Sequence, residues 1–343
     1  MSLLQRIKRA AIALLKETPN QTGVDWKNIA PLEQSDLIEI QRFFNRPKYF
    51  IFGHARSGTT LLARLMRVHP EVHCNWQAHF FTRQPFLHAL VQDSEIQEWL
   101  SRRSNRWNQG RDLSPLVLRA AADFILEREA AQLGKRIVGD KSPNSLVNGE
   151  AVLRMQRIYP DARLIFIVRD GRDAALSHRF QSFIDKSEYL SDEDIAIRDA
   201  FSKDPSPFLS GQRSLFTAKG LRRAAQGWVD NVSQTHQLAI QLYGEQYYSF
   251  RFEDLLKNPW EKMSEIWSFI GADMSIPGLQ EALSHELQQN PDADWQQQKA
   301  EEIARPLQKG RSGSWREMFT SVDRKMFLEI AKDTLQEWGY PLE

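Results

Sequence analysis

Short, wholly apolar runs along the chain alternate with longer stretches whose apolar residues recur at helical spacing. Tyr49-Phe50-Ile51-Phe52 is continuously apolar and ends at Gly53, which predicts a strand covered on both faces. Beyond the loop His54 to Gly58, Leu61, Leu62, Leu65, Met66 and Val68 keep helical spacing until His69-Pro70 ends it. Leu116 to Leu133 predicts another helix, Arg136 to Gly139 a short strand, and Gly149 to Tyr159 a helix stopped by Pro160. Arg163 to Val168 is the clearest buried strand, followed by a helix over Gly171 to Phe180; Tyr247 to Phe252 predicts one strand more. Strands alternating with helices imply an α/β fold, a three-layer αβα arrangement around a central, mainly parallel sheet. Residues 1–46 form an amphipathic and lead-in segment, and 47–343 a single domain. A polar stretch at about 181–216 is expected to be a long, weakly structured insertion, a lid or binding loop.

Charge narrows the function classes. The 343 residues carry 45 basic and 44 acidic side chains, so general binding of nucleic acid is not expected and anion recognition has to be local. The single cysteine, Cys74, cannot form an intramolecular disulfide and fits a reducing, cytoplasmic location. No apolar run approaches the ~18 residues of a membrane span. Met1 to Lys16 is basic and amphipathic; it reads as a surface helix or docking arm, with contact to an anionic membrane surface as the alternative. The eight histidines show no metal-ligand spacing. His69 and His73 are separated by Pro70 and read as turn residues, so no metal is expected.

Ligands of parallel sheets sit at the carboxyl ends of the strands, and three such stretches suit anions. Gly53-His54-Ala55-Arg56-Ser57-Gly58-Thr59-Thr60 is P-loop-like, with backbone amides at a helix start and hydroxyls from Ser57, Thr59 and Thr60. Thr59 occupies the position where nucleotide triphosphatases need lysine, which disfavours a P-loop kinase. Arg169, at the end of a strand, and Ser177, about two helical turns on, are placed to close on one phosphate. Lys309-Gly310-Arg311-Ser312-Gly313-Ser314-Trp315-Arg316 is a flexible cationic loop.

Together with Asp140-Lys141-Ser142-Pro143, these elements resemble the PAPS-dependent sulfotransferases, most closely the tyrosylprotein sulfotransferase-like and bacterial branch. These enzymes move a sulfonate from 3′-phosphoadenosine 5′-phosphosulfate (PAPS) to an acceptor and release 3′-phosphoadenosine 5′-phosphate (PAP). The resemblance implies that Arg56, Ser57, Gly58, Thr59 and Thr60 grip the 5′-phosphosulfate. It implies that Arg169 and Ser177 take the 3′-phosphate, that Lys309 and Gly310 close over it, and that Phe252 lies against adenine. The chain departs from the family at Leu61, where the cytosolic branch stacks a tryptophan on adenine. It departs again at Gln77, nearest the position of the tyrosylprotein branch's catalytic glutamate.

Transfer to a hydroxyl or amine needs a base, cations at the developing charge and an in-line arrangement. Lys141 and Arg56 suit the charge role. His79 is the candidate base, as the one titratable side chain between Cys74 and Phe81; His54 and His178 are alternatives. Trp76, Phe80 and Phe81 are expected to shape the acceptor pocket. The acceptor class is open among small molecule, glycan, lipid and peptide, as is the oligomeric state. A non-catalytic nucleotide- or phosphate-binding module is the competing reading.

Overall fold

The computed structural model describes residues 25–185, 190–289 and 312–343. Five parallel strands, β1 (Lys48–Phe52), β2 (Val72–Trp76), β3 (Ile137–Lys141), β4 (Arg163–Val168) and β5 (Tyr247–Arg251), lie in the order β2-β3-β1-β4-β5. The helices among the described residues that bear on the site are α1 (Gln34–Gln41), α2 (Thr59–Met66), α3 (Ser94–Ser101), α4 (Ser114–Gln132), α5 (Glu150–Ile158), α6 (Gly171–Asp185), α7 (Asp192–Lys203), α8 (Ala218–Tyr243), α9 (Phe252–Lys257), α10 (Pro259–Phe269), α11 (Leu279–Gln288) and α12 (Ser321–Glu337).

Alternation along β1 divides the core. Phe50 and Phe52 point into one layer with Leu164, Phe166 and the inner faces of α4, α5, α8 and α12. Tyr49 and Ile51 point into the other with Ile165, Ile167, Phe250 and residues of α2, α10 and α11. Both faces of the sheet are covered, as parallel strands require. This is the three-layer α/β architecture expected from the strand–helix alternation.

Three features differ from the sequence expectations. β2 was not foreseen: Val72-His73-Cys74-Asn75-Trp76 mixes polar and apolar residues because it is an edge strand, and His73, read as a turn residue, is its second position. The stretch at 181–216 holds the end of α6, all of α7 and a further helical turn at Ser206–Leu209. Its amphipathic residues Phe183, Phe201 and Phe208 are buried in the main core, so its polarity reflects an outer face and not irregular backbone. Residues 26–32 dock on α5, where Trp26 lies under Arg154 and Arg157 and Leu32 N–H donates to the Arg157 carbonyl at 2.9 Å, while α1 packs on α4. The basic segment 1–16 lies outside the described residues.

After β1 the chain crosses toward β2, and after β4 toward β5, so the neighbours β1 and β4 send their connections in opposite directions. The carboxyl ends of such a pair leave a crevice. The loop 53–58 and Arg169 both stand at it.

Candidate active site

Close packing holds the loop in the crevice. A Cβ at Gly53 would come within 2.7 Å of the Ile167 carbonyl oxygen, so loop and β4 approach at a distance only glycine permits. Arg56 and Gly58 adopt left-handed conformations, φ 73° and 87°, flanking Ser57, whose N–H donates to the His54 carbonyl at 3.1 Å. Such reversals of backbone hand turn successive amides toward one point. Gly58 caps α2 without a side-chain bond to the first helical amides, leaving them for an external acceptor. The Ser57 hydroxyl is fully buried with no hydrogen-bond partner among the described residues. An anionic oxygen suits this set of donors.

The cations converge on the same loop. Arg56 Nε donates to Ser177 Oγ at 3.0 Å, and Arg169 Nη1 donates to the Arg56 carbonyl oxygen at 3.2 Å. Lys141 Nζ, at the end of β3, donates to Thr60 Oγ1 at 3.3 Å. Lys141 is only 1% exposed, and burial pushes its pKa down. Arg56, Ser57, Gly58, Thr59, Thr60, Lys141, Arg169 and Ser177 thus gather around one crevice.

Opposite the loop, the second motif fixes a turn. Asp140, fully buried, accepts from Ala78 N–H at 3.0 Å and from Ser142 Oγ at 2.5 Å; Ser142 Oγ in turn accepts from His79 N–H at 2.9 Å. Gln77 and His79 both hold positive φ, 56° and 54°, a conformation non-glycine residues keep only when bonded in place. Burial raises the Asp140 carboxyl to about 6. His79 Nδ1 lies 2.7 Å from Thr82 Oγ1. Burial first, then the charges of Arg83 and Lys141, lower the His79 pKa, so its ring is neutral at neutral pH. In the tautomer whose Nδ1–H donates to Thr82, Nε2 carries the lone pair. His54 is half-buried, with its Nδ1 enclosed, and burial lowers its pKa to about 4; His178 is exposed on α6.

The remaining charges of the Arg169 element are structural. Arg172 pairs with Asp170 at 2.7 Å and stacks 3.6 Å from the Trp315 ring centroid. Asp173 accepts from the backbone amides of Gly313 and Trp315, at 2.6 and 3.2 Å. Lys309 and Gly310 lie outside the described residues. The chain just beyond them is nonetheless tied to α6, four positions before Ser177.

Three aromatic expectations are corrected. Phe252 is 3% exposed, and a Cβ at Gly58 would come within 2.3 Å of its ring. It supports the phosphate loop from below, and its burial leaves no face for adenine. Phe80 and Phe81 belong to the core, packing with Phe50 and Tyr159; Trp76 alone of the three is exposed.

A family model described as the sulfotransferase family matches residues 47–275. The chain belongs to the sulfotransferase family. This sulfotransferase-family chain is 29% identical over 149 residues to protein-tyrosine sulfotransferase A of Caenorhabditis elegans, covering 41% of the chain and 36% of that protein. It is 25% identical over 249 residues to the protein-tyrosine sulfotransferase of Drosophila melanogaster, covering 71% of the chain and 41% of that protein. The chain therefore spans less than half the length of these curated relatives. Among solved structures, a mouse sulfotransferase complexed with PAP is 16% identical, with 89% of each chain covered and a TM-score of 0.46.

Sequence reasoning missed the Asp140–Ser142 clamp and the Asp173 anchor of this sulfotransferase-family chain. The first had a signal: an Asp two residues before a Ser, just past a strand, suits a side-chain-bonded turn. The second joins residues 140 positions apart, and no local pattern reports it.

Proposed function

We propose that this chain transfers a sulfonate from PAPS to a hydroxyl of its acceptor and releases PAP. The observation that carries the reading is the meeting of Arg56, Arg169 and Ser177 at the β1/β4 crevice, with Lys141 reaching the same loop through Thr60. Such a set suits a ligand bearing two separate anionic groups on one nucleoside. The loop amides, Ser57, Thr59, Thr60 and Arg56 would hold the 5′-phosphosulfate, and Arg169 with Ser177 the 3′-phosphate.

His79 Nε2 takes the acceptor's proton as the acceptor oxygen bonds to sulfur. The bond from sulfur to the bridging phosphate oxygen breaks, and its electron pair stays on the departing 5′-phosphate. Lys141 and Arg56 meet the negative charge that grows there. A buried ammonium with a lowered pKa gives its hydrogen bond to that oxygen more readily than an exposed one does. No helix among the described residues is long and apolar enough to cross a membrane.

The test is nucleotide binding to the purified chain, followed calorimetrically with PAP and with adenosine 5′-phosphate, which lacks the 3′-phosphate. Arg169→Ala should weaken PAP binding about tenfold or more and leave adenosine 5′-phosphate nearly unchanged. Equal losses for both nucleotides would remove Arg169 from the 3′-phosphate site. PAP binding with no acceptor ever sulfonated would favour the non-catalytic reading.

A further inference from the structure

Trp76 is the last residue of β2, on the edge of the sheet, and is 44% exposed. Trp99 and Trp107 are exposed too but lie against each other at 5.0 Å, whereas Trp228, Trp267 and Trp315 are almost completely buried. An indole left in water forgoes the burial that aromatic side chains usually gain. Lys141 Nζ lies 5.2 Å from the Trp76 ring centroid and 3.3 Å from Thr60 Oγ1, so a single ammonium separates the indole from the phosphate loop. Arg67 stands 5.7 Å from the same ring and further fixes it.

The rim of this indole is polar. Gln77 follows it, exposed and held at positive φ, with its N–H given to the Lys141 carbonyl. His79 is half-buried nearby, and exposed Arg83 is close enough to depress the His79 pKa. Phe80 and Phe81, the residues able to enclose an apolar acceptor, face the core instead. One flat indole with two cations at its ring, followed in the chain by Gln77 and His79, offers a C–H face something to lie on and hydroxyls several partners. Among the described residues, the apolar hollow lined by Phe80, Phe81 and Leu87 does not include Trp76, so a phenol or lipid on the indole meets one exposed ring.

We propose that Trp76 is the platform for the acceptor and that the acceptor is a saccharide, its ring lying on the indole with one hydroxyl turned toward His79. This rests on the sulfonate-transfer reading above and assigns that site its substrate class.

Saturation-transfer NMR on the PAP-loaded full chain tests it. The probes are methyl glycosides of glucose, galactose and N-acetylglucosamine, lactose, and two aryl comparators, p-cresol and N-acetyltyrosine amide. At least one glycoside should receive saturation on its ring C–H protons. Its Kd should weaken about tenfold in Trp76→Ala and less in Trp76→Phe, with PAP affinity unchanged in both. Glycoside binding that survives Trp76→Ala overturns the proposal. So does the absence of binding by every glycoside, or Trp76-dependent binding of the aryl probes alone. If the wild type fails to bind PAP at all, the sulfonate-transfer reading falls and takes this one with it; PAP binding without glycoside binding sinks only the platform.

Discussion

Two lysines stand on neighbouring strands at opposite ends of the sheet. Lys48 opens β1 and Lys141 closes β3, with exposures of 5% and 1%. Burial alone does not distinguish them; their partners do. Lys48 Nζ meets Glu127 at 2.7 Å and Asp123 at 3.5 Å, inside a network where Arg119 bonds Asp123 and Asp161, and Tyr159 donates to Asp123. Lys141 Nζ meets a hydroxyl and an indole, and burial lowers its pKa. A buried cation matched by carboxylates belongs to the architecture. On the proposed function, one met by a hydroxyl and an indole is left for a charge that arrives with substrate.

The sharpest way to break this contrast is to neutralise each lysine in turn. Lys141→Met should lower turnover about a thousandfold, the scale of losing one preorganised charge-stabilising donor. Its urea unfolding midpoint should not fall, because methionine removes a desolvated charge. A large loss of stability with turnover intact would exchange the roles assigned to the two lysines. Lys48→Met should do the reverse. Removing the Lys48 ammonium, which leaves Glu127 with the partly exposed Arg46 and Asp123 with only the Arg119 cation, should cost about 3 kcal/mol, measured by denaturant unfolding, while PAP affinity of the folded fraction stays the same. Unchanged stability there would mean that Arg119 and Arg46 suffice for those carboxylates.

The same contrast explains what the sequence could reveal. Buried parallel strands are continuous apolar runs, so β1 and β4 were legible within a residue of their observed bounds. The phosphate loop was legible because glycine, hydroxyls and a helix start follow one another locally. Arg169 and Ser177 were legible as a pair because one helix fixes their spacing. β2 was hidden because an edge strand needs no continuous apolar run: Asn75 turns its amide to the Leu126 and Gly139 carbonyls, and Trp76 stays exposed. The burial of Phe252 was hidden too, since it depends on Gly58 approaching from a segment far away in sequence. Lys48 carries no local signal, because its carboxylates come from α4, nearly 80 residues on.

The smallest expected effect lies beside Lys141. The Asp140 carboxyl is raised to about 6 from an ordinary 3.8, chiefly by burial, with the Ser142 and Ala78 bonds opposing. Between those values the folded chain holds a proton that the unfolded chain has released, so this group favours folding as pH falls from 6 toward 4 and works against it above 6. Asparagine at 140 has no proton to exchange. The stability of the wild type relative to Asp140→Asn should therefore drop by about 2 kcal/mol on going from pH 4 to pH 7, read from urea midpoints at half-unit steps. A difference that is flat or rises across that window would mean that the Asp140 carboxylate is stabilised more by its two hydrogen bonds and Lys141 than it is penalised by burial. Asp140 would then stand with the carboxylates around Lys48, and the line drawn between the two ends of the sheet would have to move to the far side of it.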